Sequence, residues 1–146
     1  MTPVGRAIDV LLVEDDPGDV LITREVFEHN KITNTLHVAS DGQEGLDFLY
    51  KRGDHVDAPQ PDLILLDLNL PKYDGRQLLE QIKSDANLCH IPVVVLTTSS
   101  AEQDVLTSYK LHANAYVTKP VDVDQFMGAV RQIDEFFIQV VRLPQS

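Results

Sequence analysis

Three runs of four consecutive aliphatic residues limit what this chain can fold into. They are Val10-Leu11-Leu12-Val13, Leu63-Ile64-Leu65-Leu66 and Val93-Val94-Val95-Leu96. None alternates with polar residues, so each reads as a strand buried on both faces. Such strands belong inside a sheet that is covered on both sides. The segments between them carry apolar residues at helical spacing and supply the covers.

The first strand reads as Ile8 to Val13. Asp16-Pro17 then starts a helix that runs to about His29. Thr35 to Ala39 is a short strand. Asp41-Gly42 reads as a turn, and Leu46, Leu49 and Tyr50 mark a second helix. Residues 51–61 form a polar loop punctuated by Pro59 and Pro61. After Leu63 to Leu66 comes a loop through Gly75, then a helix with Leu78, Leu79 and Ile82 on one side. Ile91-Pro92 opens the strand Val93 to Leu96. A helix through about Leu111 follows, with Ala101, Val105, Leu106 and Tyr109 as its apolar positions. Ala115-Tyr116-Val117 is the last strand, and a final helix runs from about Val123 to Val141. Five strands alternating with five helices predict an α/β fold, an open parallel sheet doubly wound with helices on both faces.

At 146 residues the chain is expected to form one domain. Its formal net charge of -11 argues against nonspecific binding to nucleic acid or to an anionic membrane surface. Cys89 is the single cysteine, so no intramolecular disulfide can form, which fits a reducing cytosol. The N-terminus lacks an apolar signal-peptide core, and no apolar run approaches the ~18 residues of a membrane span. A cytoplasmic protein is the expectation. The five histidines show no ligand spacing.

In doubly wound sheets, ligands bind outside the carboxyl ends of the strands. Here those ends carry Glu14-Asp15-Asp16, Asp67, Thr97-Thr98 and Lys119-Pro120. Carboxylates brought side by side repel by about 4 kcal/mol per pair at an effective dielectric near 20. Such a cluster calls for a hard divalent cation held by oxygen. Carboxylates, a hydroxyl and an ammonium on one rim suit phosphoryl chemistry. A carboxylate is the nucleophile, and the other groups stabilise the phosphoryl oxygens.

These motifs resemble the response-regulator receiver domains of two-component signalling, the CheY-like family with its flavodoxin-like fold. The matching segments are Val13–Asp16, Leu65–Pro71 with Asp74-Gly75, Ile91–Thr97 and Ala115–Pro120. The likeness covers residues 8–141. It leaves 1–7 as a loose arm and 142–146 as a tail, with no output module attached. It implies that Asp67 accepts a phosphoryl group from phosphohistidine on a sensor histidine kinase. Asp15 would bind Mg²⁺ directly, Glu14 would complete the acidic pair, and Asn69 would lend its backbone carbonyl. Thr97 would hydrogen-bond the phosphoryl group. Lys119 would pair with Asp67 and later with a phosphoryl oxygen. Tyr116 would be the switch aromatic, with a place in the core as the alternative. The Lys119-Pro120 bond would be cis. Slow hydrolysis of its own aspartyl phosphate is signal decay, so the chain is expected to be a signalling protein, not an enzyme in the usual sense.

Several residues keep two readings. Asp16 is a helix cap or a third ligand. Thr98 competes with Thr97 as the hydroxyl donor. Asp41 and Asp74 read as turn residues. The 51–61 loop is a solvated insertion, and an insertion here also occurs in the stand-alone regulators that serve bacterial phytochromes. In the last helix, Phe126, Val130, Ile133, Phe137 and Val141 follow a core face. Met127, Phe136, Ile138, Val140 and Leu143 remain as an apolar surplus that suits a partner surface. The ending Val140–Pro144 resembles the tails of the phytochrome-type regulators, which implies a homodimer; a tail folded back on the sheet is the other reading. The rival function is a Mg²⁺-dependent phosphohydrolase with an aspartate nucleophile. Those enzymes usually carry a second aspartate two residues on, where this chain has Asn69. A flavodoxin-like cofactor binder would need a hydroxyl- and glycine-rich loop after the first strand, where this chain is acidic.

Overall fold

The computed structural model describes residues 8–29, 34–68, 70, 75–98, 113–119 and 121–130. Its strands are β1 (Ile8–Val13), β2 (Asn34–Ala39), β3 (Leu63–Asp67), β4 (Val93–Thr97) and β5 (Ala115–Thr118). Its helices are α1 (Pro17–His29), α2 (Gly42–Leu49), α3 (Gly75–Ser84) and α4 (Val123–Val130), with a 3₁₀ turn at Gly53–His55. All strand pairs are parallel, in the order β2-β1-β3-β4-β5. This is the doubly wound sheet expected from the aliphatic runs. The helix expected through about Leu111 and the last helix beyond Val130 lie outside the described residues.

Strand alternation divides the core in two. Val10, Leu12, Leu63, Leu65, Val94, Leu96, Ala115 and Val117 face one side, where Phe27 of α1 and Phe126 of α4 pack edge to face at 4.9 Å. Leu11, Val13, Ile64, Leu66, Val93 and Val95 face the other, against Leu46 and Leu49 of α2 and Leu78, Leu79 and Ile82 of α3. The chain leaves β1 for β2 on one side and returns to β3 on the other. The topological switch point therefore lies between β1 and β3.

Two local features correct or refine the sequence reading. Asp41-Gly42 is the start of a helix and not a free-standing turn. Asp41 is extended, with φ -154°, and its carboxylate accepts the Glu44 N–H at 2.8 Å. Glu44 reaches back to accept the Ser40 N–H at 2.8 Å. An acid followed three residues later by Glu is an N-terminal helix signal, and the capping wins because it satisfies otherwise orphaned N–H groups. At the other end of α2, the Arg52 N–H bonds to the Asp47 carbonyl at 2.8 Å and the Lys51 N–H to that of Phe48 at 3.3 Å. That closure is a Schellman motif, with Lys51 at φ 56° where glycine is usual. The rest of the 51–61 loop is largely exposed. Its ends are stitched to the α3–β4 connection: the Tyr50 hydroxyl donates to Asp85 at 2.6 Å and Gln60 to the Asn87 carbonyl at 3.4 Å. It enters β3 at the end of the sheet opposite the acidic rim.

Gly75 lets α3 begin against the backbone that follows β3. A Cβ there would stand 2.7 Å from the Asp67 carbonyl oxygen and 2.7 Å from Leu68 Cα. Both are main-chain atoms and cannot swing aside. Gly75→Ala is therefore expected to lower stability by about 1–3 kcal/mol, read from the urea midpoint. An unchanged midpoint would show that α3 can shift without cost.

Candidate functional site

The sheet register assembles the rim. Val13 is paired with Leu66 and Leu96 with Asp67, while Thr97 is paired with Thr118. The next residue of β1, Glu14, therefore stands beside Asp67, and Lys119 follows Thr118 one strand beyond. Glu14, Asp67 and Lys119 all continue the alternation of the sheet face that α1 covers. Glu14 and Asp67 are each 2% exposed, whereas Asp15 is exposed.

Ligand oxygens of Glu14, Asp15 and Asp67 all lie within 4.8 Å of one another. The Lys119 ammonium enters the same cluster. Its Nζ lies 2.8 Å from Glu14 Oε1, 3.0 Å from Asp19 Oδ2 and 3.1 Å from Asp67 Oδ2. Burial pulls this ammonium down, but the bonds to Glu14 and Asp19 and the charges of Asp67 and Glu14 outweigh it. The net effect holds it protonated above the ordinary lysine range.

Glu14 shows the opposite balance. Burial pushes its carboxyl up from 4.5 to about 7; the bond to Lys119 opposes the rise and neighbouring Asp67 adds to it. Its Oε1 lies 2.8 Å from the Lys119 ammonium as an ion pair, and among the described residues no other donor reaches it. A buried carboxylate oxygen so placed, with two further carboxylates beside it, fits a hard divalent cation. Glu14, Asp15 and Asp67 are the side chains that would hold it.

Asp16 stands outside this cluster. Its side chain accepts the Gly18 N–H at 2.8 Å and its carbonyl accepts the Val20 N–H at 3.0 Å. It is the N-cap of α1. Thr97 is buried at the end of β4, where its carbonyl accepts the Lys119 N–H at 2.7 Å. Its neighbour Thr98 is exposed. Tyr116, paired with Val95, shares with Thr97 the sheet face covered by α3. Its hydroxyl accepts the Ala113 N–H at 3.2 Å and so points back from the rim. Asn69 and Pro120 lie outside the described residues, and the Lys119-Pro120 bond with them.

Asp19 was not among the residues expected at the site. Its signal is present in the sequence, as an acid one helical turn beyond Asp15. Read alone, an acid in a first helical turn only complements the helix dipole. What reveals it is that α1 packs on the face toward which Lys119 projects.

An acidic pair at the switch point with one member buried, an ammonium bonded to the central aspartate and a threonine at the next strand end define a receiver domain. The response regulator receiver domain matches residues 10–131, and the chain belongs to that family. The chain is 44% identical over 137 residues to the response regulator Rcp1 of Synechocystis sp., covering 94% of this chain and 93% of that protein. A structure of the Mn²⁺-bound form of Rcp1 is similar with a TM-score of 0.74, covering 94% of this chain and 99% of that one. The bacteriophytochrome response regulator AtBRR is 43% identical with a TM-score of 0.82, over 87% of this chain and 92% of that one. The phosphorylated cyanobacterial phytochrome response regulator RcpA is 42% identical with a TM-score of 0.76, over 95% and 99%. The likeness to phytochrome-type regulators is thus borne out. Among the described residues, no helix is long and apolar enough to cross a membrane.

Proposed function

We propose that this chain is a cytoplasmic response regulator that accepts a phosphoryl group on Asp67 from a sensor histidine kinase of the phytochrome type. The observation that carries this reading is the buried Asp67 carboxylate, bonded to the Lys119 ammonium at 3.1 Å at the β1/β3 switch point. Asp67 attacks the phosphorus of phosphohistidine. A P–O bond forms as the P–N bond breaks, and the imidazole leaves with the electron pair. Lys119 transfers its hydrogen bond from Asp67 to a phosphoryl oxygen, and the Thr97 hydroxyl donates to another. Bound Mg²⁺ supplies positive charge that offsets the phosphoryl oxygens. Glu14, Asp15 and Asp67 would hold it, and the Asn69 carbonyl would complete the set.

The signal leaves through protein contacts. Thr97 moves toward the phosphoryl group, and Tyr116 gives up its bond to Ala113 and turns inward, which shifts a pre-existing equilibrium of that face. The apolar surplus of the last helix supports a homodimer. The likeness to AtBRR and RcpA supports the phytochrome-type kinase as the donor.

Intact mass after incubation with acetyl phosphate and Mg²⁺ tests the chemistry. One added phosphoryl group, lost on hydroxylamine treatment, is the expected result. A hydroxylamine-stable adduct would place the phosphate on a hydroxyl and overturn the assignment. Light scattering with and without Mg²⁺ and beryllofluoride reads the oligomeric state.

A further inference from the structure

The Lys119 ammonium has three N–H donors and faces three carboxylates, of Glu14, Asp19 and Asp67. Two of these carboxylates, Glu14 and Asp67, also belong to the oxygen cluster that fits a divalent ion. Asp19 does not. When a cation and a phosphoryl group claim Glu14 and Asp67, Asp19 is the carboxylate left to Lys119 in this set. We infer that Asp19 is a positioning residue: its bond to Lys119 holds the ammonium at the rim while the other two carboxylates are engaged elsewhere. The inference rests on the phospho-acceptor reading of the same site.

Asp19 is well placed to hold a flexible lysine still. It lies in the first turn of α1, whose entry is fixed by the Asp16 cap. The hydroxyl of the buried Thr23 donates to the Asp19 carbonyl at 2.9 Å. One turn further on, Phe27 anchors the helix in the core against Phe126. The lysine side chain is 14% exposed and that of Asp19 24%, so water competes only weakly for the pair. Without Asp19, the ammonium would lose the one partner that the cation and the phosphoryl group do not claim, and would be held less firmly as each phosphoryl group arrives. Misplacing a catalytic group by about 1 Å is enough to cost one to two orders of magnitude in rate.

The test is the rate of phosphoryl uptake from acetyl phosphate with saturating Mg²⁺, followed by intact mass. In this step the Asp67 carboxylate oxygen bonds to phosphorus, the bond from phosphorus to the acetyl oxygen breaks, and acetate leaves with the electron pair. Asp19→Ala is expected to slow uptake about tenfold. Asp19→Asn keeps an oxygen that can accept from Lys119 and recovers most of that loss. In a Lys119→Ala background, Asp19→Ala has no further effect, because the residue acts through the lysine. A merely structural role would lower the rate equally in both backgrounds, and that result overturns the inference. So does uptake by Asp19→Ala at the wild-type rate. Wild-type protein that takes up no phosphoryl group overturns the acceptor reading itself, and this inference with it.

Discussion

Asp67→Asn is expected to reduce phosphoryl uptake from acetyl phosphate to background while the protein stays folded. The amide oxygen occupies the same place but is not a nucleophile able to form an acyl phosphate. The other carboxylates of the cluster do not replace it. Asp15 is exposed and Glu14 retains a proton near neutrality, so neither combines burial, a nucleophilic oxygen and a lysine partner as Asp67 does. At pH 8, where Glu14 is largely ionised, the same substitution should raise the stability of the metal-free protein by about 1 kcal/mol, because it removes a like charge from beside buried Glu14. Lys119 keeps its bonds to Glu14 and Asp19. Function and stability are opposed at this position, as at a site whose charges await a ligand. Intact mass and urea midpoints read the two effects. Undiminished uptake in the variant would move the acceptor to another residue.

The second large effect is a dependence on pH. Glu14 ionises at about 7 in the folded protein, raised chiefly by burial, against 4.5 ordinarily. Between those values the folded protein holds a proton that the unfolded chain has released. Stability from this group is therefore fully present below about pH 4.5 and is lost as pH rises through about 7. A tenfold difference in proton affinity between the folded and unfolded chain corresponds to about 1.4 kcal/mol, so with the coupling to Lys119 and Asp67 the loss is about 2 kcal/mol. The measurement is the urea midpoint at pH 5 and at pH 8 with chelator, compared with Glu14→Gln. The wild type should fall relative to the variant, and Mg²⁺ at pH 8 should restore it. Parallel behaviour of the two proteins would show that Glu14 is ionised throughout.

The sheet was legible because aliphatic runs such as Leu63–Leu66 have no other stable place than a doubly covered strand. The ends of those runs named Glu14, Asp67, Thr97 and Lys119, since parallel strands put their carboxyl ends on one rim. The capping role of Asp41 was written in its spacing to Glu44, but a short Asp-Gly pair looks the same in a turn. Asp16 divided between cap and ligand until the helix it starts was in place.

Chain order and hydrophobic pattern by themselves determined the fold class and the kinds of group at the rim; the strand order, and with it the switch point, came from the tertiary structure. Tertiary structure alone decided which of three consecutive acids is buried, which is exposed and which caps a helix. It alone joined Lys119 to Asp19, a hundred residues away. The reason is geometric. Strand alternation says which face a side chain leaves by, but the helix that waits on that face, and the rotation it presents, are set by packing of residues such as Phe27 and Phe126 far from the site.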